Sequence, residues 1–133
     1  MKHLKIDHLG IAVPSLEPAI AAYEALGFRV EATHDVPTER VRTAFLPVGE
    51  SHLELLEPTD PASAIGRFLE KRSGLHHVCV LVDDLDAVIA RAAAAGATVL
   101  EGRASGEQGD FAWIVDCDGN KVELWQPPAR SGR

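Results

Sequence analysis

Four side chains of this sequence have types and spacing that suit metal chemistry: His8, Glu54, His77 and Glu123. His8 and His77 stand 69 positions apart, and so do Glu54 and Glu123. A histidine offers an imidazole nitrogen and a glutamate a carboxylate oxygen. Two of each suit a mid-row divalent ion, Co²⁺, Ni²⁺, Mn²⁺, Fe²⁺ or Zn²⁺, whereas calcium favours an all-oxygen cage. Taken singly, a histidine at a strand start or a glutamate within a strand is usually structural or solvent-facing. The repeat relation sets these four apart, because unselected surface positions have no reason to match by type.

The elements that must position them repeat as well. The same interval of 69 carries Val13 to Val82, Leu16 to Leu85, Ile20 to Ile89, Gly27 to Gly96, Val30 to Val99, Leu55 to Leu124 and Pro58 to Pro127, with no gap. Self-similarity at a fixed spacing marks a repeated structural unit. Residues 6–13 alternate as a strand, with Leu9, Ile11 and Val13 on one face and His8, Gly10 and Ala12 on the other. Ser15 is placed to cap a helix in which Leu16, Ile20, Tyr23 and Leu26 recur at helical spacing, and Gly27 stops it. Strands are expected over 28–33, 41–48 and 52–57, with a polar connection over 34–40.

The pattern restarts with a strand over 75–82, a helix over 85–95 and strands over 97–101, 111–115 and 121–126. A loop is expected over 102–109 and a turn at Asp116-Cys117-Asp118-Gly119-Asn120. Chain 1–133 thus reads as a single domain, with one βαβββ unit over 6–58, a joint carrying a short helix over 59–74 and a second unit over 75–128. The expected class is α+β: two tandem βαβββ units pairing their open faces into a curved, barrel-like mixed sheet with helices outside. His8, Glu54, His77 and Glu123 would then look inward, and small Gly10, Ala12 and Cys79 leave room for a ligand. His76 points to the opposite face, His3, His34 and His52 are expected at the surface, and Trp113 and Trp125 in the core or cavity wall.

Composition narrows the class. Of 133 residues, 46% are hydrophobic and 25% charged, an ordinary balance for a globular chain. No apolar run approaches the roughly 20 residues of a membrane span, and the start has no signal-peptide apolar core. The net charge of −7 and the lack of a basic run argue against nucleic acid. Cys79 and Cys117, read in strands, suggest reduced thiols and a cytoplasmic protein rather than a disulfide scaffold.

These residues carry a family resemblance. The paired βαβββ plan with His8, Glu54, His77 and Glu123 resembles the vicinal oxygen chelate superfamily, which includes glyoxalases, bleomycin-resistance proteins and dioxygenases, over Ile6 to Pro127. Within it, IDHLGIAV (6–13), VRTAFLPVG (41–49), HLELLEP (52–58) and AIGRFLEKRSGLHHV (64–78) are similar to the methylmalonyl-CoA epimerase family. The resemblance implies that the four residues are metal ligands. It also implies an epimerase that inverts the 2-carbon of methylmalonyl-CoA by proton abstraction through a metal-stabilised enolate, with Glu123 and then Glu54 as the catalytic carboxylates. The epimerases commonly carry Gln where this chain has Glu54, and some carry Glu where it has Thr43. Glu at position 54, and the ending DCDGNKVELWQPP (116–128), resemble glyoxalase I instead. The alternatives are therefore a glyoxalase I-like isomerase acting on a glutathione adduct, or a non-catalytic bleomycin-resistance-type binder. An acyl-CoA would call on Arg40, Arg42, Lys71 and Arg72 for its phosphates, and the resemblance implies a homodimer.

Overall fold

The computed structural model describes residues 5–128, which form eight strands and three helices. The chain divides into two compact units. Residues His8–His76 form one; the chain from His77 onward, with the stretch ending at Asp7, forms the other. The class is α+β, as expected.

The first unit carries β1 (Lys5–Ala12), apart from Lys5–Asp7, which belong to the other unit, with α1 (Leu16–Ala25), β2 (Ala32–Val36), β3 (Val41–Val48), β4 (Ser51–Pro58) and α2 (Ala64–Leu69). Its strands lie in the order β2-β3-β4-β1, with β1 parallel to β4 and the other pairs antiparallel. Leu16, Ala19, Ile20 and Tyr23, three or four apart on α1, meet Ile11, Val13, Leu53 and Leu55, which alternate along β1 and β4, and Ala44 and Leu46 of β3. A helical stripe thus closes one face of a pleated sheet. On the opposite face, Ile65 of α2 packs with Ala12, Val41 and Leu56. Gly66 lets α2 fold back against the turn that precedes it, since a Cβ there would meet the Pro61 and Asp60 carbonyl oxygens.

The second unit repeats the plan with β5 (Gly74–Leu81), apart from Gly74–His76, which belong to the first unit, and with α3 (Leu85–Ala94), β6 (Thr98–Gly106), β7 (Gly109–Val115) and β8 (Lys121–Gln126). The order is β5-β8-β7-β6, with β5 parallel to β8. Leu85, Val88, Ile89 and Ala92 of α3 pack on Val82, Ala112, Ile114 and Leu124.

Each long helix is tied at its start to the last strand of its unit. Ser15 holds the N-cap position of α1, but its side chain makes no capping bond. Instead the Leu16 N–H donates to Glu57 Oε1 at 3.2 Å. In α3 the Leu85 N–H donates to Gln126 Oε1 at 2.7 Å. Glu57 and Gln126 are again 69 apart.

Four expectations need correction. The second strand is Ala32–Val36, not 28–33: Phe28 and Val30 are apolar because they pack on the α1 core from a connecting segment, while His34 and Asp35 lie within the ladder to β3. The expected 102–109 loop is mostly strand, because β6 runs to Gly106 and turns at Glu107-Gln108. Every β6 residue is exposed, so no alternation betrays it, and its register against β7 shifts between Val99 and Glu101 and again between Glu101 and Ala104. Cys117 lies in the exposed β7–β8 turn rather than in a strand, while Cys79 is buried in β5. Finally, the ungapped repeat fails in the third strands. Ala44 faces Leu55 and Ala112 faces Leu124, so β3 corresponds to β7 at an interval of 68. The cause is turn length: two residues separate β3 from β4, and five separate β7 from β8.

Candidate functional site

The strand registers place each candidate pair. In the first unit, His8 and Glu54 project from the parallel strands β1 and β4 on the face away from α1, since Leu53 and Leu55 take the α1 side. The His8 Nε2 lies 3.3 Å from Glu54 Oε1, with both side chains mostly buried. In the second unit, His77 Nε2 lies 3.5 Å from Glu123 Oε1, and both are again mostly buried. The structure thus joins His8 to Glu54 and His77 to Glu123, one imidazole and one carboxylate in each unit.

An aromatic ring from the third strand flanks each pair. Phe45, opposite Glu54 in the ladder, stands edge-on to His8 with centroids 6.4 Å apart. Trp113, opposite Glu123, stands edge-on to His77 at 4.9 Å. The ungapped repeat pairs neither ring with the other, because they lie 68 apart.

The donor chemistry fits a divalent ion. Two ligand atoms each about 2.1 Å from one ion lie about 3.0 Å apart at right angles and about 3.4 Å apart at the tetrahedral angle. The two observed separations, 3.3 and 3.5 Å, are close to the wider value. A mostly buried carboxylate beside an imidazole also favours a nearby cation, which offsets its lost hydration. Each pair can therefore supply two adjacent ligands.

Other candidates take different roles. His76 stands edge-on to Phe68 of α2, with centroids 4.9 Å apart. His34 is exposed, whereas His52 is half-buried, 2.9 Å from Glu31 and edge-on to Phe45. His3 lies outside the described residues. Trp125 is structural: its indole N–H donates to the Gln108 carbonyl at 2.7 Å and its ring stacks on Phe111, which secures the β6–β7 turn. Two basic candidates are already committed to carboxylates. Arg40 bonds Asp60 at 2.8 Å, and Arg42 bonds Glu57 at 2.9 Å and Glu17 at 2.8 Å. The Arg42 hydrogen bond holds the Glu17 carboxyl below its ordinary value. Arg72 lies over the Phe68 ring, 5.2 Å from its centroid. The buried Thr43 hydroxyl, at the position where some epimerases carry Glu, also lies on the Glu54 face.

Comparison with known proteins adds the lineage. The Glyoxalase/Bleomycin resistance protein/Dioxygenase superfamily matches residues 7–113. An ethylmalonyl-CoA/methylmalonyl-CoA epimerase of Cereibacter sphaeroides is 42% identical over 99 residues, 72% of this chain and 74% of that protein. The human mitochondrial methylmalonyl-CoA epimerase is 38% identical over 88 residues, 64% of this chain but only 50% of its own length. A solved methylmalonyl-CoA epimerase in complex with methylmalonyl-CoA and NH4+ superposes with a TM-score of 0.80 at 35% identity, covering 93% of this chain and 94% of that one.

Proposed function

The chain belongs to the glyoxalase/bleomycin resistance protein/dioxygenase superfamily, and from that premise we propose that it is a divalent-metal-dependent epimerase that inverts the 2-carbon of methylmalonyl-CoA. The observation that carries the reading is the pair of mostly buried His–Glu couples at ligand-like separations, in a chain similar to named epimerases. His8, Glu54, His77 and Glu123 would hold one ion of the Co²⁺, Ni²⁺, Mn²⁺, Fe²⁺ or Zn²⁺ class. When bound, such an ion supplies Lewis-acid stabilisation of the charge that develops as the substrate loses its 2-proton. Glu123 would take that proton as a carboxylate, and Glu54, entering the step protonated, would return one to the opposite side, the two exchanging protons with solvent between turnovers. The reading includes a homodimer, as the family resemblance implies.

Proton NMR in D₂O with metal-loaded protein and methylmalonyl-CoA tests the proposal. The 2-proton signal should disappear, and chelator should stop its loss. Glu123→Gln should slow exchange by about 10²- to 10⁴-fold, the usual worth of a positioned acid or base. No exchange from folded, metal-loaded protein would sink the reading. Glu54, a carboxylate where the epimerases commonly carry Gln, favours a glyoxalase I-like isomerase as the second reading. Turnover of methylglyoxal with glutathione by the same sample would select it. Metal-independent binding without turnover would select a sequestering protein.

A further inference from the structure

Thr43 carries a polar atom with nowhere to go. It is 2% exposed, and among the described residues its buried Oγ1 has no hydrogen-bond partner. Such a group is exceptional, because an unpaired buried hydroxyl costs folding free energy that a valine of the same shape would not. Strand alternation puts Thr43 with Val41 and Phe45 on the face away from α1, while Ala44 and Leu46 pack against α1. In the ladder Thr43 faces Leu56, and the next residue of that face, Phe45, faces Glu54. The hydroxyl thus stands one step along the sheet from the His8–Glu54 couple. In the ladders Thr43 faces Leu56 of β4, which is apolar, and His34 of β2, and its Oγ1 bonds to neither.

We infer that Thr43 is a substrate-binding residue whose hydroxyl donates a hydrogen bond to a carboxylate oxygen of a bound 2-alkylmalonyl thioester. The inference rests on the epimerase reading above and adds a contact to it. A hydroxyl is not ionised near neutral pH, so Thr43 positions the substrate and takes no proton from it. The partner missing in the free protein arrives with the ligand, and an anionic oxygen is the strongest acceptor available to one O–H.

The test uses the metal-loaded full chain with Thr43→Val and Thr43→Ser. Thr43→Val should leave the free protein at least as thermostable as the parent and metal affinity unchanged. It should raise KM for methylmalonyl-CoA, followed by deuterium exchange, about ten- to hundredfold, the worth of a hydrogen bond to a charged group. Thr43→Ser should keep KM within about threefold of the parent, because the hydroxyl remains. If Thr43→Val fails to fold, Thr43→Ala against Thr43→Ser makes the same comparison. Parent exchange with an unchanged KM in the Val or Ala variant overturns the Thr43 contact and leaves the epimerase reading standing. No exchange by the parent overturns both. A hydroxyl needed only for folding would lower the melting temperature in the Val variant without moving KM, and that result overturns the inference too.

Discussion

Among single residues, Asp116 shows how completely one side chain can organise a turn. Its Oδ1 accepts from the Asp118 and Asn120 backbone N–H groups at 2.9 and 2.8 Å, and its Oδ2 from the Asn120 side-chain amide at 2.9 Å. These bonds, the Asn120 side-chain bond foremost, hold the Asp116 carboxyl below its ordinary value. A carboxyl depressed by folding adds stability that is present above its unfolded value and lost as pH falls through the lower folded value. The β7–β8 turn should therefore loosen only under acid. In an NMR titration, the Asp118 and Asn120 amide shifts should share a midpoint below the normal aspartate range. A midpoint at or above that range would contradict the turn geometry.

At the scale of elements, the site strands and the helices share fasteners. Glu57 and Gln126 each stand three residues beyond a candidate ligand, Glu54 or Glu123, and each accepts the first N–H of its unit's long helix. Gln126→Leu would strip the acceptor from the N–H of Leu85, a residue wholly buried by α3 packing. The expected cost is about 1–3 kcal/mol, read as a lower urea midpoint at unchanged slope. An unchanged midpoint would mean that water replaces the bond. These fasteners lie 41 residues from their donors, and no local pattern announces them; Ser15, a plausible cap by type, makes none. What was legible was what periodicity records. The α1 and α3 stripes, the β1 and β5 alternation and the His–Glu repeat follow from helix and strand spacing. The β2 boundary did not, because Phe28 and Val30 are as apolar as strand residues while bonding to no ladder. The far end of β6 was hidden because Gly102, Arg103, Ala104 and Ser105 are all exposed and lack an apolar face. Phe45 was obscured by apolar residues on both faces of β3.

At the scale of the whole molecule, the proposed ion links chemistry to stability. An ion that binds only the folded chain stabilises it by about 2.7 kcal/mol at a hundredfold excess over Kd. The melting temperature should therefore rise with Co²⁺ or Zn²⁺ concentration and fall with EDTA in differential scanning calorimetry. Glu54→Gln combined with Glu123→Gln should flatten that response. A melting temperature indifferent to metal in the parent would remove the shared-ion proposal while leaving the fold and lineage untouched. Among the described residues no helix is long and apolar enough to cross a membrane.

The two register shifts in β6 also bear on how copies of this protein meet in crowded solution. β6 closes one end of the strand order and is exposed throughout, with Val99 and Leu100 among its exposed apolar residues. An unbroken edge of that kind would offer evenly spaced amides and carbonyls as a template for a neighbour's strand. The shifts at Val99–Glu101 and Glu101–Ala104 spoil that spacing, and the charges of Glu101 and Arg103 stand along the same stretch. The outermost strand is thereby a poor seed for fibre-like stacking.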